Sequence, residues 1–176
     1  MKKILALILA TLTLVTLMAG CKGDTQNESS SQVQESSSQE QESSGATSNP
    51  TPKEVMDAIL AENQIQMGME MTDEEAQYVF NLNLTEDVES YAINGTMANV
   101  AVDNIAVVVA KEGKVENVVK SLTDKRDLTI QNFEQYLPDK YEIAKKGKVF
   151  SIGNYVFLVI HENVDAIEAK IREMVK

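Results

Sequence analysis

The chain has 176 residues and a net charge of −11, with 27 acidic residues against 16 basic ones. This acidity argues against nucleic acid and against an anionic membrane surface as binding partners. The chain contains one cysteine, so a disulfide cannot form within the monomer.

The N-terminal segment has the layout of a cleaved export signal. Lys2 and Lys3 precede an apolar run over residues 4–18, and the small residues Ala19 and Gly20 follow it. The run is short for a transmembrane helix, which needs about 20 apolar residues, and no basic cluster comes after it. We therefore expect residues 1–20 to be removed as a signal peptide.

The end of this segment carries a lipid-attachment pattern. Leu17-Met18-Ala19-Gly20-Cys21 resembles the lipobox of bacterial lipoproteins, although the third position before the cysteine is usually leucine rather than methionine. The resemblance implies that the cysteine is lipidated, with acyl chains such as palmitate, and that it becomes the mature N-terminus. Two acyl chains on one residue suffice for stable anchoring. The expected location is the extracytoplasmic face of the cell membrane.

Residues 21–50 are predicted to be a lipidated and disordered tether. The segment after Cys21 is rich in serine, glutamine and glutamate, and Val33 is its only aliphatic residue larger than alanine. Such a composition cannot bury enough apolar surface to fold. The remainder, residues 51–176, has the length of a single domain.

Two capping boxes open this domain and predict two short helices. Thr51 is followed three residues later by Glu54, and Thr72 is followed in the same way by Glu75. A strand is then predicted over residues 88–93. Its expected turn is Asn94-Gly95.

The middle of the domain has the strongest strand pattern. Residues 100–111 are predicted to form a strand, which is apolar on both faces at 105–109 and therefore central in a sheet. After Gly113 the apolar spacing is that of a long amphipathic helix, with a bend expected near Asp127 and an end at Leu137-Pro138.

The sequence of the last third of the chain predicts a hairpin followed by a helix. Strands over 149–152 and 155–160 flank Gly153-Asn154, a pair suited to a two-residue turn, and one apolar helical face closes the chain. The full order is helix, helix, strand, strand, helix, strand, strand, helix. It predicts an α+β fold with an antiparallel-rich sheet of about four strands and helices packed on one side.

Several segments of this part resemble a known family. Phe-Glu-Gln-Tyr-Leu-Pro at 133–138, Tyr141, the basic turn at 145–147 and the segment 153–160 are similar to the lipoproteins catalogued as domain of unknown function 4358. The likeness covers about residues 85–176. It implies a small, clostridia-like envelope protein with no catalytic residues to transfer, and it suggests proximity to membrane O-acyltransferases that act on envelope polymers.

The sequence contains little that indicates catalysis. His161, the one histidine, follows an apolar strand and is interpreted as a strand-end or capping residue rather than a base. The acidic clusters at 73–75 and 86–89 lack the spacing of a calcium loop, and the first lies where a helix dipole favours acidic residues. We expect no metal and no cofactor.

Three alternating methionines, Met67, Met69 and Met71, form a soft ligand set that would suit cuprous copper. Methionines more often provide adaptable packing or a contact surface, and we favour that role here.

Three tyrosines in the family-like stretches, Tyr136, Tyr141 and Tyr155, are the candidate partner-binding residues, because tyrosine combines rigid area with a polar tip. The alternative is that they attach the long helix to the hairpin. The expected function is a non-enzymatic binding or accessory module that holds an envelope protein or polymer. The other hypothesis is a small envelope enzyme or metal-binding protein.

Overall fold

The computed structural model describes residues 49–176. The predicted signal peptide, Cys21 and nearly all of the tether lie outside these residues. No helix in the described part is long and apolar enough to cross a membrane. The helices are α1 Pro52–Leu60, α2 Asp73–Phe80, α3 Val115–Phe133, α4 Pro138–Lys146 and α5 Val164–Met174; the strands are β1 Met69–Glu70, β2 Val88–Gly95, β3 Asn104–Ala110, β4 Lys148–Ile152 and β5 Tyr155–Ile160.

The strands form one antiparallel sheet in the order β1-β2-β3-β5-β4. This confirms the α+β class and the central position of β3. The sheet has one strand more than expected, the two-residue β1 at its edge. One helix was also missed: α3 ends at Phe133, before the expected Leu137-Pro138, and Pro138 begins α4, because proline fits the first turn of a helix, where no backbone donor is needed.

The predicted layer of helices on one side of the sheet consists of α2, α3 and α4. Their apolar side chains pack with Ala106, Val108 and Ala110 of β3. Successive side chains of a strand point to opposite faces, so Ile105 and Val107 lie on the other face, where α1 and α5 cover them. This second helical layer explains why every residue of β3 is buried.

Local signals predicted most of the element boundaries. Both capping boxes are present, with the Thr51 and Thr72 side chains accepting from the backbone three residues on. The two-residue hairpin is confirmed, and Gly153 takes the positive φ of 58° that its turn requires. Two expectations were wrong. Asn94-Gly95 continues β2 instead of turning, because both residues pair with β3, and α3 runs through Asp127 as one helix.

An ion-pair network joins β4 to α5 and should make stability depend on acid pH. Glu168 receives hydrogen bonds from Lys148 Nζ at 2.6 Å and Arg172 Nη2 at 2.7 Å. These bonds, chiefly that from Lys148, hold the pKa of Glu168 below its ordinary value of 4.5. The folded chain therefore binds fewer protons, so the network stabilises above that value and is lost as the pH falls through the lower folded pKa.

We expect Glu168→Gln to lower the melting temperature at about pH 6 and to have a shrinking effect as the pH falls from about 4.5 to 3. Glu173→Gln is the matched control, because Glu173 is exposed on the same helix and has no ion pair within residues 49–176. If the melting temperatures of Glu168→Gln and wild type differ by the same amount at about pH 6 and at about pH 3, the network does not have this role.

Candidate functional site: a cleft beside the long helix

One stripe of α3 forms the first wall of a cleft. Lys125, Thr129, Asn132 and Phe133 follow one another at helical spacing and line it together. Val118 and Leu122 continue the same stripe into the core, where both are buried. The cleft therefore begins where the apolar stripe of α3 is interrupted by a lysine.

The segment joining β2 to β3, residues 96–103, supplies the opposite wall. Thr96 is buried, and its hydroxyl accepts from the backbone N–H of Ala98 at 3.0 Å, which bends the segment at its start. Gly95 and Asn104 face each other across the two strands at its base. A Cβ at position 95 would collide with the Asn104 side chain, so glycine is required here for close approach.

The space between these walls has a volume of about 540 Å³ and is open to solvent on one side. Its apolar surface comes from residues such as Val79, Met97 and Phe133, and Met97 is 57% exposed at the rim. Ligand sites in proteins are commonly clefts of about 300–1,000 Å³ with mainly apolar walls and a few placed polar groups. This cleft fits that description in size and lining.

Lys125 is the one charged residue in the lining of the cleft. Its ammonium lies 5.1 Å from the centroid of the Phe80 ring, and it makes no ion pair within residues 49–176. Burial lowers the pKa of Lys125 below the ordinary lysine value of 10.5. A cation held partly out of water without an anion attracts one.

Asn104 is the second unusual polar residue of the cleft. It is 2% exposed, and its Nδ2 donates to the Val102 carbonyl at 2.8 Å. Its Oδ1 is buried and accepts no hydrogen bond from the described residues. Buried acceptors are nearly always paired, so an unpaired one at the edge of a cleft calls for an explanation.

Residues 61–161 match the family described as Domain of unknown function (DUF4358). The chain belongs to this family. Every residue that lines the cleft falls inside the matched segment. No curated protein and no solved structure matches the chain.

The three tyrosines predicted to bind a partner do not form one surface in this DUF4358 domain. Tyr136 is 59% exposed and lines the cleft, and Tyr141 is half-buried on α4 beneath the Lys145 ammonium. Tyr155 is buried on the α1–α5 face, where its hydroxyl donates to the Pro50 carbonyl at 2.9 Å. Burial of this phenol raises its pKa. A binding role stays a prediction for Tyr136 and Tyr141, whereas Tyr155 serves the core.

The methionines and acidic residues considered as candidate ligands either lie apart or pair with neighbouring side chains. Met71 is buried in the core while Met67 and Met69 are exposed, so the three thioethers do not face one ligand together. Among the described residues no group of three histidine, cysteine or acidic side chains is arranged to hold a metal. Asp73 accepts from the Tyr91 hydroxyl, and Asp87 pairs with Lys114 at 3.0 Å.

His161 is buried, and it forms a hydrogen bond within the turn that leads into α5. Its Nδ1 accepts from the Asn163 backbone N–H at 3.0 Å. The ring lines a second, more polar cleft of about 460 Å³ together with Asp103, Lys140 and Glu162. We regard the α3 cleft as the better candidate site, because its walls are mainly apolar and two of its polar groups, the Lys125 ammonium and Asn104 Oδ1, lack an ion pair and a hydrogen bond, respectively, within the described residues.

Proposed function

We propose that this DUF4358 protein is a membrane-anchored lipoprotein of the cell envelope and that its domain is a non-catalytic binding module. The observation that carries the proposal is the α3 cleft, which combines apolar walls with two polar groups, the Lys125 ammonium and Asn104 Oδ1, for which residues 49–176 supply no ion pair and no hydrogen-bond donor, respectively. Pre-formed apolar clefts with a few convergent polar groups are the usual form of a ligand site.

The lining of the cleft favours binding over catalysis. Lys125 and Tyr136 are its titratable residues, and it includes no histidine or carboxylate. Hydrolysis or acyl transfer by side chains needs a nucleophile with a base in hydrogen-bonding reach, and the base itself needs an orienting partner. Binding requires only the shape and the unpaired polar groups that are present.

The lipobox-like segment and the tether support the anchoring part of the proposal. A tether keeps a binding domain at a high local concentration near membrane neighbours, which strengthens the effect of a weak binder. An envelope ligand would therefore be held close to the membrane. A membrane O-acyltransferase that acts on envelope polymers is a candidate neighbour.

The binding role predicts that obstructing the cleft abolishes ligand uptake. We expect a small-molecule extract of the producing cell's envelope to raise the melting temperature of the chain from Lys22 to Lys176, because a ligand that binds only the folded state stabilises it. Asn132→Trp places a bulky ring in the cleft and should remove this rise. Differential scanning fluorimetry measures both.

Gln131→Trp is the matched control for this experiment. Gln131 is the neighbouring residue on α3 and is also exposed, but it does not line the cleft. The Gln131→Trp variant should show the same rise in melting temperature with the extract as wild type does. If both tryptophan variants respond to the extract as wild type does, the cleft is not the binding site. Turnover of an envelope substrate by the purified domain would replace binding with the enzyme alternative.

A further inference from the structure

We propose that the α3 cleft binds a small amphipathic anion with a flexible apolar chain. The anionic group pairs with the Lys125 ammonium, the chain lies along the apolar walls, and an N–H or O–H group beside the anion donates to Asn104 Oδ1. This inference rests on the proposed binding function and names the chemical class of its ligand.

The state of Lys125 argues for the anionic group. Lys120, on the same helix, is largely exposed and pairs with Asp124 at 2.5 Å. Lys125 is instead half-buried with no carboxylate partner in the described chain, and its ammonium lies over the face of Phe80. An aromatic face compensates a buried cation less than an anion does. A ligand anion would supply the missing partner.

The state of Asn104 argues for the donor. Its Nδ2 donates to the Val102 carbonyl, whereas its Oδ1 accepts no hydrogen bond from the described residues and is the atom left to accept one from a ligand. Because Oδ1 lies against Gly95, the amide must turn toward the cleft to meet a ligand. A ligand donor that pairs with this oxygen removes the cost of burying it unpaired.

The walls argue for the flexible chain. Val79, Met97 and Phe133 offer apolar contacts without a second charged group, and Met97 can adapt its shape to the ligand. The volume of about 540 Å³ holds a medium-length acyl chain with a small head group.

Three related probes that share one apolar chain test the anion and the hydrogen-bond donor of the ligand by isothermal titration calorimetry. N-decanoylglycine carries the chain, an amide N–H and a carboxylate. N-decanoylsarcosine carries a methyl group in place of the amide hydrogen, and decanol lacks both the amide and the carboxylate. The protein is the chain from Lys22 to Lys176, which keeps every residue of the described domain and lacks the anchor.

We expect wild type to bind N-decanoylglycine most tightly. Lys125→Met should weaken this binding by about tenfold to a hundredfold and leave decanol unchanged, because a charge-assisted bond is lost. N-decanoylsarcosine should bind wild type about threefold to tenfold more weakly, the loss expected for one neutral hydrogen bond. Asn104→Ala should abolish this difference between the two anions.

The controls separate binding from folding. Lys120→Met removes a lysine from the same helix outside the cleft and should bind all three probes as wild type does. The melting temperature of Lys125→Met should match or exceed that of wild type, since a half-buried unpaired charge is replaced by an apolar chain of similar length. The sarcosine comparison tests Asn104 without changing the protein, even if Asn104→Ala does not fold.

Two results would overturn the inference. One is equal affinity of Lys125→Met and wild type for N-decanoylglycine; the other is equal affinity of wild type for the glycine and sarcosine probes. If either occurs while Asn132→Trp still abolishes stabilisation by the envelope extract, only the ligand chemistry is wrong. If the extract experiment also shows no effect of Asn132→Trp, the proposed binding function fails with it.

Discussion

Replacing Phe80 by alanine is expected to destabilise the domain by about 3–5 kcal/mol, the usual cost of emptying a buried aromatic site. Phe80 is fully buried at the end of α2, in the cluster that joins α2 and α3 to the sheet. It also lies beneath the Lys125 ammonium, so its loss removes support from one wall of the cleft. Because domains are stable by only about 5–15 kcal/mol, the variant should be marginally folded.

Urea denaturation followed by circular dichroism measures this loss, with Tyr78→Ala as the matched control. Tyr78 is also aromatic and lies on the same helix, but it is 89% exposed. Its removal should change the free energy of unfolding by less than about 0.5 kcal/mol. Similar losses of unfolding free energy for the two variants would show that α2 does not bury Phe80 and expose Tyr78.

Replacing Cys21 by alanine is expected to release the protein from membranes or to leave the precursor uncut. If the lipobox-like segment is used as we propose, lipid attaches to the thiol of Cys21 before the signal is cut, so the variant should be neither lipidated nor processed normally. The described domain has no helix that can cross a membrane and so offers no replacement anchor of that kind. Fractionation of cells and intact-mass measurement of the protein report retention and processing together.

Ser31→Ala is a suitable control, because it changes one tether residue of similar size and leaves the lipobox-like segment intact. It should be lipidated and retained like wild type. Cys21→Ala protein that stays with the membrane and has a cleaved N-terminus would contradict the lipoprotein proposal. That result would not count against the proposed binding of a ligand in the α3 cleft.

Local sequence signals were sufficient for much of the fold. The Thr51 and Thr72 capping boxes, the Gly153-Asn154 hairpin and the apolar spacing of α3 and α5 depend on contacts between residues close in the chain. Such signals act before any tertiary contact is made. The exceptions have physical reasons: Asn94-Gly95 suits a turn, but its pairing with β3 continues the strand.

The candidate site, by contrast, depends on contacts between distant parts of the chain. The interruption of the α3 stripe by Lys125 was visible in the sequence, yet a lysine at such a position is commonly a surface residue whose stem covers apolar area. Only the packing of α3 beside the segment after β2 shows that no carboxylate of residues 49–176 pairs with it. The free oxygen of Asn104 likewise follows from the pairing of Gly95 with Asn104.

The positions of the three tyrosines also depend on tertiary structure and could not be predicted from the sequence. By itself, the sequence determined the fold class, the main helices and strands and the family resemblance, because these follow from periodicity and short motifs. Tertiary structure decided that Tyr136 lies at the cleft and Tyr155 in the core on the other face of the sheet. Two residues that are near each other in the sequence can lie on different faces of the sheet, because successive side chains of a strand point to opposite sides. The helices packed on each face then determine which of these side chains are buried.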